Sequence, residues 1–229
     1  MNHILLLHGA LGSSADFDKL KTLLEKNYIV HSFNFPGHGG NEMPVSFSIP
    51  FFAEYVEEYC RIHSLSGINV LGYSMGGYVS LYLAHKHPSL IKKIITLGTV
   101  LYWDETIASK EISKLQPSII EEKVPQFAAS LKAQHHPNDW KEVLNKTANM
   151  LQELGRNNLL TSDLLSEIQM PTLVMLGDRD KMVSRAKTIE VYELLPVSQL
   201  AIFPNTQHPL QGCDEEMMEL IIRKFLENR

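Results

Sequence analysis

The feature that most constrains the fold is a Gly-Tyr-Ser-Met-Gly motif at residues 72–76, which lies between two different kinds of segment. The apolar run 68–71 before it is typical of a buried strand, and residues 78–87 after it have helical spacing that Pro88 ends. A strand that turns this sharply into a helix strains the residue in the turn and requires glycine two positions away on either side. The motif therefore predicts that Ser74 is raised above the edge of a sheet.

A serine in such a turn is a candidate nucleophile. The backbone N–H of Met75, at the N-terminus of the following helix, is placed to stabilise an oxyanion that develops beside Ser74. A serine hydroxyl becomes reactive only when a base takes its proton, and the base needs a carboxylate to hold its tautomer. Chains with this turn supply the partners in the order serine, acid, histidine.

Both partners are available on loops downstream. His208 follows the last predicted strand, and Asp178 and Asp180 follow the strand before it. Ligands gather at the carboxyl ends of parallel strands, so these loops should meet near the serine. We predict that His208 is the general base and Asp180 its carboxylate partner. Asp178 is expected to shape the turn, and Asp104 is a remote alternative for the acid.

Apolar runs of strand length alternate with helical patterns along most of the chain. The predicted strands are 4–7, 28–33, 68–71, 91–97, 171–176 and 200–203. The predicted helices are 17–24, 51–63, 78–87, 185–195 and 215–227. This alternation predicts an α/β fold with a parallel sheet that helices cover on both faces.

Residues 102–168 interrupt the alternation, because they contain no convincing strand. We expect a core formed by residues 1–101 and 169–229, with 102–168 as a helical cap over the strand ends. The helices of the cap are expected to be separated near four helix-breaking residues: Pro117, Pro125, Pro137 and Gly155.

The loop after the first strand, residues 8–12 (His-Gly-Ala-Leu-Gly), is the candidate for the second half of an oxyanion hole, with the N–H of Ala10 as donor. His8 is expected to brace this loop, and His38 to be structural. The candidate pocket residues are Leu11, Tyr73, Tyr102, Trp103 and Trp140, and further candidates are Leu131 and Leu144. For the aromatic and leucine residues of the cap, core packing is the competing interpretation.

Composition narrows the function classes. The net charge of −5 leaves no broad basic field for nucleic acid, so we expect none as a partner. The histidines, including the adjacent pair His135 and His136, do not have metal-ligand spacing, so no metal is expected and the pair is interpreted as surface. Two cysteines and the absence of a signal peptide or membrane segment predict a reduced, cytoplasmic protein. We expect a monomer or small homo-oligomer that acts on a small molecule.

The chain resembles the α/β-hydrolase superfamily from end to end. The resemblance rests on residues 8–12, 36–39, 72–77 and 177–180, together with His208. It is similar above all to small capped serine hydrolases, which include carboxylesterases, the biotin-pathway methyl esterase, the menaquinone-pathway synthase and C–C bond hydrolases. The resemblance implies the α/β-hydrolase fold, a cap inserted after the sixth-strand position, a Ser-His-Asp triad and no cofactor.

Several departures from the family pattern are informative. Tyr78 stands where the menaquinone-pathway synthase has arginine, and residues 10–12 do not match the Ser-Gly-Pro-Gly loop of C–C hydrolases. Asn34 replaces a usual aspartate that is structural, and Gln207 replaces the usual glycine before the histidine. The nucleophile is Ser74, whereas haloalkane dehalogenases use aspartate. The first two strands of the family are expected to be missing.

Three hypotheses follow. The leading one is a carboxylic ester hydrolase that acts on small apolar esters through an acyl-enzyme. A second keeps the triad but cleaves C–C bonds or catalyses elimination. A third is a ligand receptor that uses the pocket without turnover, since a fold does not determine function.

Overall fold

The computed structural model describes residues 2–228 and contains one sheet of six parallel strands. The strands are β1 (Asn2–Leu7), β2 (Tyr28–Ser32), β3 (Ile68–Tyr73), β4 (Ile91–Leu97), β5 (Thr172–Gly177) and β6 (Ser198–Phe203). Their spatial order is β2-β1-β3-β4-β5-β6, and every neighbouring pair is parallel. The predicted parallel sheet of an α/β fold is therefore confirmed.

The helices follow the predicted pattern, with differences at their first turns. They are α1 (Asp18–Leu24), α2 (Ile49–Ile62), α3 (Met75–Lys86), α4 (Glu105–Ile112), α5 (Pro117–Lys123), α6 (Pro125–His135), α7 (Trp140–Arg156), α8 (Ser162–Glu167), α9 (Arg185–Leu194) and α10 (Glu215–Glu227). Helix α2 begins earlier than predicted because the Ser48 hydroxyl accepts the Phe51 N–H and caps it, with Pro50 in the first turn.

Helices cover both faces of the sheet, and the side chains of β1 show how. Leu5 and Leu7 are fully buried on one face with residues of α2 and α3, whereas Ile4 and Leu6 are fully buried on the other with residues of α1 and α10. Successive side chains of a strand point to opposite faces, so a continuous apolar run is needed where both faces are covered. This explains the continuous apolar run at residues 4–7 of β1.

The predicted cap segment consists of helices α4–α8 and the loops that join them, between β4 and β5. Pro117 and Pro125 begin helices, and Pro137 lies in the turn before α7, as expected for helix-breaking residues. The break predicted near Gly155 is confirmed, because α7 ends at Arg156 and α8 begins at Ser162, with Gly155 in the last turn of α7. A Cβ at this position would lie 2.6 Å from the Cβ of Ala108, so glycine permits α4 and α7 to approach closely.

One side chain ties both ends of the cap to the core. Asn158 Oδ1 accepts the hydroxyl of Tyr78 on α3 at 3.0 Å and the N–H of Trp103 at 3.1 Å. The Tyr78 hydroxyl also accepts the N–H of Leu160 at 3.0 Å. These bonds fix the entry and exit of the cap over the helix that follows Ser74.

Candidate active site

Ser74 lies in a strained turn between β3 and α3. Its φ of 51° and ψ of −115° lie in a region that residues other than glycine rarely adopt. A Cβ at residue 72 would lie 2.3 Å from the carbonyl carbon of Gly76, and a Cβ at residue 76 would lie 2.1 Å from the oxygen of Leu7. Both glycines of the motif are therefore required for the turn to form.

Asp180 and His208 form a hydrogen-bonded pair. The Nδ1–H of His208 donates to Asp180 Oδ2 at 2.8 Å. The other carboxylate oxygen, Oδ1, accepts the N–H of Met182 at 2.8 Å and that of Val183 at 2.9 Å. Burial raises the pKa of Asp180, but the bonds from His208 and the two amides outweigh it and hold this pKa below its usual value. The pair is thus fixed with the imidazole oriented by a charged carboxylate.

The other two candidate acids have structural partners instead. Asp178 Oδ1 accepts the N–H of Thr206 at 3.1 Å, which shapes the turn as expected. Asp104 Oδ1 accepts the N–H of Ile107 at 2.7 Å and caps α4. Of the three aspartates, Asp180 is the one that the fold brings to His208.

The backbone around His208 is held by groups that come from other strands. Tyr73, beside the serine, donates its hydroxyl to the carbonyl oxygen of His208 at 2.9 Å. Gly98, after β4, has a φ of +57°, and a Cβ there would lie 3.4 Å from Nδ1 of His208 and 3.5 Å from Oδ2 of Asp180. Sequence reasoning missed Gly98, although a glycine directly after a strand end was a usable indication.

The loop after β1 passes close to Ser74. A Cβ at Gly9 would lie 3.2 Å from the Cβ of Ser74. His8 is fully buried beneath this loop, where its Nε2 accepts the N–H of Phe35 at 3.0 Å and its Nδ1–H donates to the oxygen of Gly9 at 2.7 Å. Burial lowers the pKa of His8 to about 4, so it stays neutral as a brace.

The cap also holds this loop, which corrects the interpretation of the histidine pair. His135 is not a surface residue but is fully buried, while His136 is exposed. His135 Nδ1 accepts the N–H of Gly39 at 3.1 Å, and its Nε2–H donates to the oxygen of Leu11 at 3.2 Å. Gln134 donates to the same oxygen at 2.7 Å. Helix α6 ends against the loop, so His135 turns inward.

A cavity of about 310 Å³ is lined by residues near the carboxyl ends of the strands and by residues of α4, α6 and α7. Ser74, His208 and both predicted oxyanion donors line it, and so do three of the predicted pocket residues: Leu11, Tyr73 and Trp103. The wall is mostly apolar, which suits a small, fairly apolar ligand.

Two predicted pocket residues lie elsewhere. Tyr102 is 40% exposed, with the ammonium nitrogen of Lys187 5.1 Å from the centre of its ring. Trp140 is buried in a separate cluster within the cap, against Leu131 and Leu144. Neither lines the cavity. The aromatic type could not distinguish a pocket residue from a packing residue.

Helix α7 supplies much of the wall that sequence reasoning missed. Thr147, Met150, Leu151 and Leu154 all line the cavity. Their spacing marks one face of a helix, and α7 is strongly amphipathic, so the pattern indicated a buried face without indicating what it faces.

Among residues 2–228, no three His, Cys, Asp or Glu side chains cluster as metal ligands. No helix within that range is long and apolar enough to cross a membrane.

Known proteins place the chain in context. A family model described as the alpha/beta hydrolase fold matches residues 2–139. Pimeloyl-[acyl-carrier protein] methyl ester esterase of Neisseria meningitidis is 22% identical, over 98% of this chain and 93% of its own length. Ethanol acetyltransferase 1 of Cyberlindnera jadinii is 25% identical over 71% of this chain, which spans only 46% of that relative.

A solved structure agrees in fold. The enol-lactonase from Burkholderia xenovorans superposes with a TM-score of 0.81 at 17% identity, over 99% of this chain and 92% of that one. The family match covers more than half of the chain, and the expectation of an α/β-hydrolase enzyme is confirmed at the level of the family. The chain belongs to the alpha/beta hydrolase fold family.

Proposed function

We propose that this protein is a serine hydrolase of small, fairly apolar carboxylic esters, with Ser74, His208 and Asp180 as its triad. One observation carries the proposal: Ser74, in its strained turn, and His208, which is hydrogen-bonded to Asp180, line the same mostly apolar cavity. A nucleophile, its base and the group that orients the base are the minimum set for acyl transfer.

In the first half-reaction, Ser74 Oγ attacks the ester carbonyl carbon while His208 Nε2 takes its proton. Asp180 holds Nδ1–H and stabilises the imidazolium that forms. The tetrahedral oxyanion accepts hydrogen bonds from the backbone N–H groups of Ala10 and Met75. His208 then returns the proton to the alkoxy oxygen, the C–O bond breaks, and the alcohol leaves an acyl-serine.

In the second half-reaction, water replaces the alcohol. His208 takes a proton from the water as its oxygen attacks the acyl carbon, and the same two N–H groups bind the second oxyanion. Collapse returns the proton to Ser74 Oγ and releases the carboxylic acid. The balanced reaction is one ester and one water to one acid and one alcohol, with no redox change.

The names of the relatives support an ester as substrate. By their names, the Neisseria meningitidis relative is a methyl ester esterase and the Burkholderia xenovorans protein acts on an enol lactone, which is a cyclic ester.

We place residues 102–168 as the cap that lines the pocket, over a core of 1–101 and 169–229. Unpaired Cys60 and Cys213 fit a reducing compartment, and we place the activity in the cytoplasm.

The first test replaces the nucleophile. Ser74→Ala should lower kcat for p-nitrophenyl acetate by at least about 10⁴-fold and abolish labelling by a fluorophosphonate, because the attacking oxygen is gone. Ser66→Ala, at an exposed serine away from the cavity, is the matched control and should label normally.

Three outcomes distinguish the proposal from the alternative functions. Turnover of Ser74→Ala at the wild-type rate would overturn the proposal. A panel of esters and diketones distinguishes ester hydrolysis from C–C cleavage, and a ligand recovered intact from a protein without esterase activity would identify a receptor.

A further inference from the structure

The cap side of the cavity carries a polar cluster that the proposed mechanism does not use. Glu111, Lys114 and Thr147 line the same cavity as Ser74 and His208. Glu111 lies on α4, Lys114 lies in the helical turn that follows α4, and Thr147 lies on α7. All three therefore line the cavity from the helical segment between β4 and β5.

Thr147 is the most telling member of this cluster. It is 1% exposed, and within residues 2–228 its Oγ1 has no hydrogen-bond partner. A threonine inside a helix commonly donates to a carbonyl oxygen of the preceding turn, but this hydroxyl does not. A buried hydroxyl without a partner costs about 1–3 kcal/mol, and a ligand in the cavity can supply the missing acceptor.

Helix packing brings the three side chains together. Gly155, near the end of α7, lies against Ala108 and the backbone of Asp104, so the end of α7 packs against the first half of α4. Thr147 lies about two turns before Gly155. It lines the cavity together with Glu111, at the end of α4, and Lys114, in the turn that follows α4.

The charges of the cluster limit what can bind beside it. The Glu111 side chain is 7% exposed, and Lys114 Nζ donates to both of its carboxylate oxygens, at 2.8 and 2.7 Å. A carboxylate on the ligand would be repelled by Glu111, and an ammonium group would be repelled by Lys114. A neutral acceptor meets neither penalty.

We propose that one arm of the ester substrate carries a neutral hydrogen-bond acceptor, such as a ketone or ether oxygen, that Thr147 Oγ1 binds. The wall of the same cavity includes Met150, Leu151 and Leu154, so the segment that joins this oxygen to the ester is expected to be apolar. The inference rests on the proposed esterase activity and names its substrate class.

The test uses two series of esters. One consists of p-nitrophenyl octanoate and its oxo derivatives, which carry a ketone at successive chain carbons, and the other of octyl acetate and the matching oxo-octyl acetates. The first series places the acceptor on the acyl arm and the second on the alcohol arm. The readout is the ratio of kcat/KM for each oxo ester to that for its parent.

Thr147→Val keeps the shape of the side chain but removes the hydroxyl. It should lower the ratio for the best oxo ester by about fivefold, the value of one hydrogen bond. Thr147→Ser retains the hydroxyl and should keep the ratio. Thr96→Val is the matched control, because its hydroxyl is equally buried and unpaired within residues 2–228 but does not line the cavity.

Glu111→Gln tests the charge argument independently. It removes the buried negative charge and leaves Lys114, so the p-nitrophenyl monoester of a dicarboxylic acid should gain relative to octanoate by several-fold. Equal ratios for wild type and Thr147→Val across both series would overturn the inference. That result leaves the esterase proposal standing, since the esterase proposal is tested separately, by the rate of hydrolysis in Ser74→Ala.

Discussion

Ser74 shows how a single residue can be held in a conformation that its own chemistry disfavours. Its positive φ costs of order 1–3 kcal/mol, which the surrounding structure must supply. The Ser74 N–H donates to the oxygen of Leu97 at 2.8 Å, and two glycines make room for the neighbouring turns. In this turn Ser74 lines the same cavity as His208.

Asp180 is the residue whose role is most open to direct measurement. Asp180→Asn keeps the side-chain size but replaces the charged acceptor, so kcat should fall by about 10⁴-fold as the imidazole loses its tautomer and its counter-charge. Steady-state kinetics with p-nitrophenyl acetate, alongside the urea midpoint, measures this.

The neighbouring aspartate provides the matched control. Asp178→Asn retains an oxygen that can accept the Thr206 N–H, so its loss of kcat should be less than about tenfold. Equal losses at the two positions would contradict the assignment of Asp180 as the partner of His208.

At the scale of elements, the cap depends on close contact between α4 and α7. Alanine normally stabilises a helix interior relative to glycine by about 1 kcal/mol. At Gly155 the reverse should hold, because a Cβ would lie 2.6 Å from that of Ala108. Gly155→Ala should therefore lower the free energy of unfolding by about 1–3 kcal/mol, measured by urea denaturation.

Two further variants locate this effect at the contact. Gly155→Ala combined with Ala108→Gly should recover part of the loss, since the second change removes the opposing methyl group. Asn149→Ala, on the exposed face of the same helix, should leave stability unchanged or slightly higher. A stabilised Gly155→Ala protein would show that α4 and α7 lie farther apart.

For the whole molecule, three buried histidines join the core to the cap. His38 lies between His8 and His135, with ring centres 5.2 and 5.7 Å away, and all three are fully buried. Burial lowers the pKa of each one, so all are neutral in the folded state. In the unfolded chain they regain ordinary values near 6.5.

This difference predicts how stability depends on pH. Between the ordinary histidine pKa and the lowered folded values, the unfolded chain binds more protons, so acid favours unfolding. The contribution of these histidines to the free energy of unfolding is fully present above about pH 6.5 and is lost as the pH falls towards 4. His8 alone, with its pKa lowered to about 4, should cost about 2 kcal/mol between pH 7 and pH 5.

Urea denaturation at intervals from about pH 7 to pH 5 measures the slope, in a range above most carboxylate titration. His63→Gln is the control, because His63 is exposed and lies outside the group of three buried histidines. A free energy of unfolding that stays constant over this range would contradict neutral burial of the three histidines.

Local patterns in the sequence predicted much of the fold and the members of the candidate triad. Alternating apolar runs placed every strand within two residues of its observed bounds, because strand burial depends on local patterns that a sequence displays. The turn at Ser74 was readable for the same reason, since its glycines are local requirements. Asp180 and His208 were chosen from their loops, and the fold brings that pair together.

What only the tertiary structure decided is the set of contacts between segments far apart in the chain. The inward turn of His135, the packing of Trp140 inside the cap and the contact at Gly155 all depend on which elements meet. The polar cluster of Glu111, Lys114 and Thr147 also depends on which elements meet. Local patterns determine which face of a helix is buried, whereas the partner of that face is set by how the helices pack across the sheet.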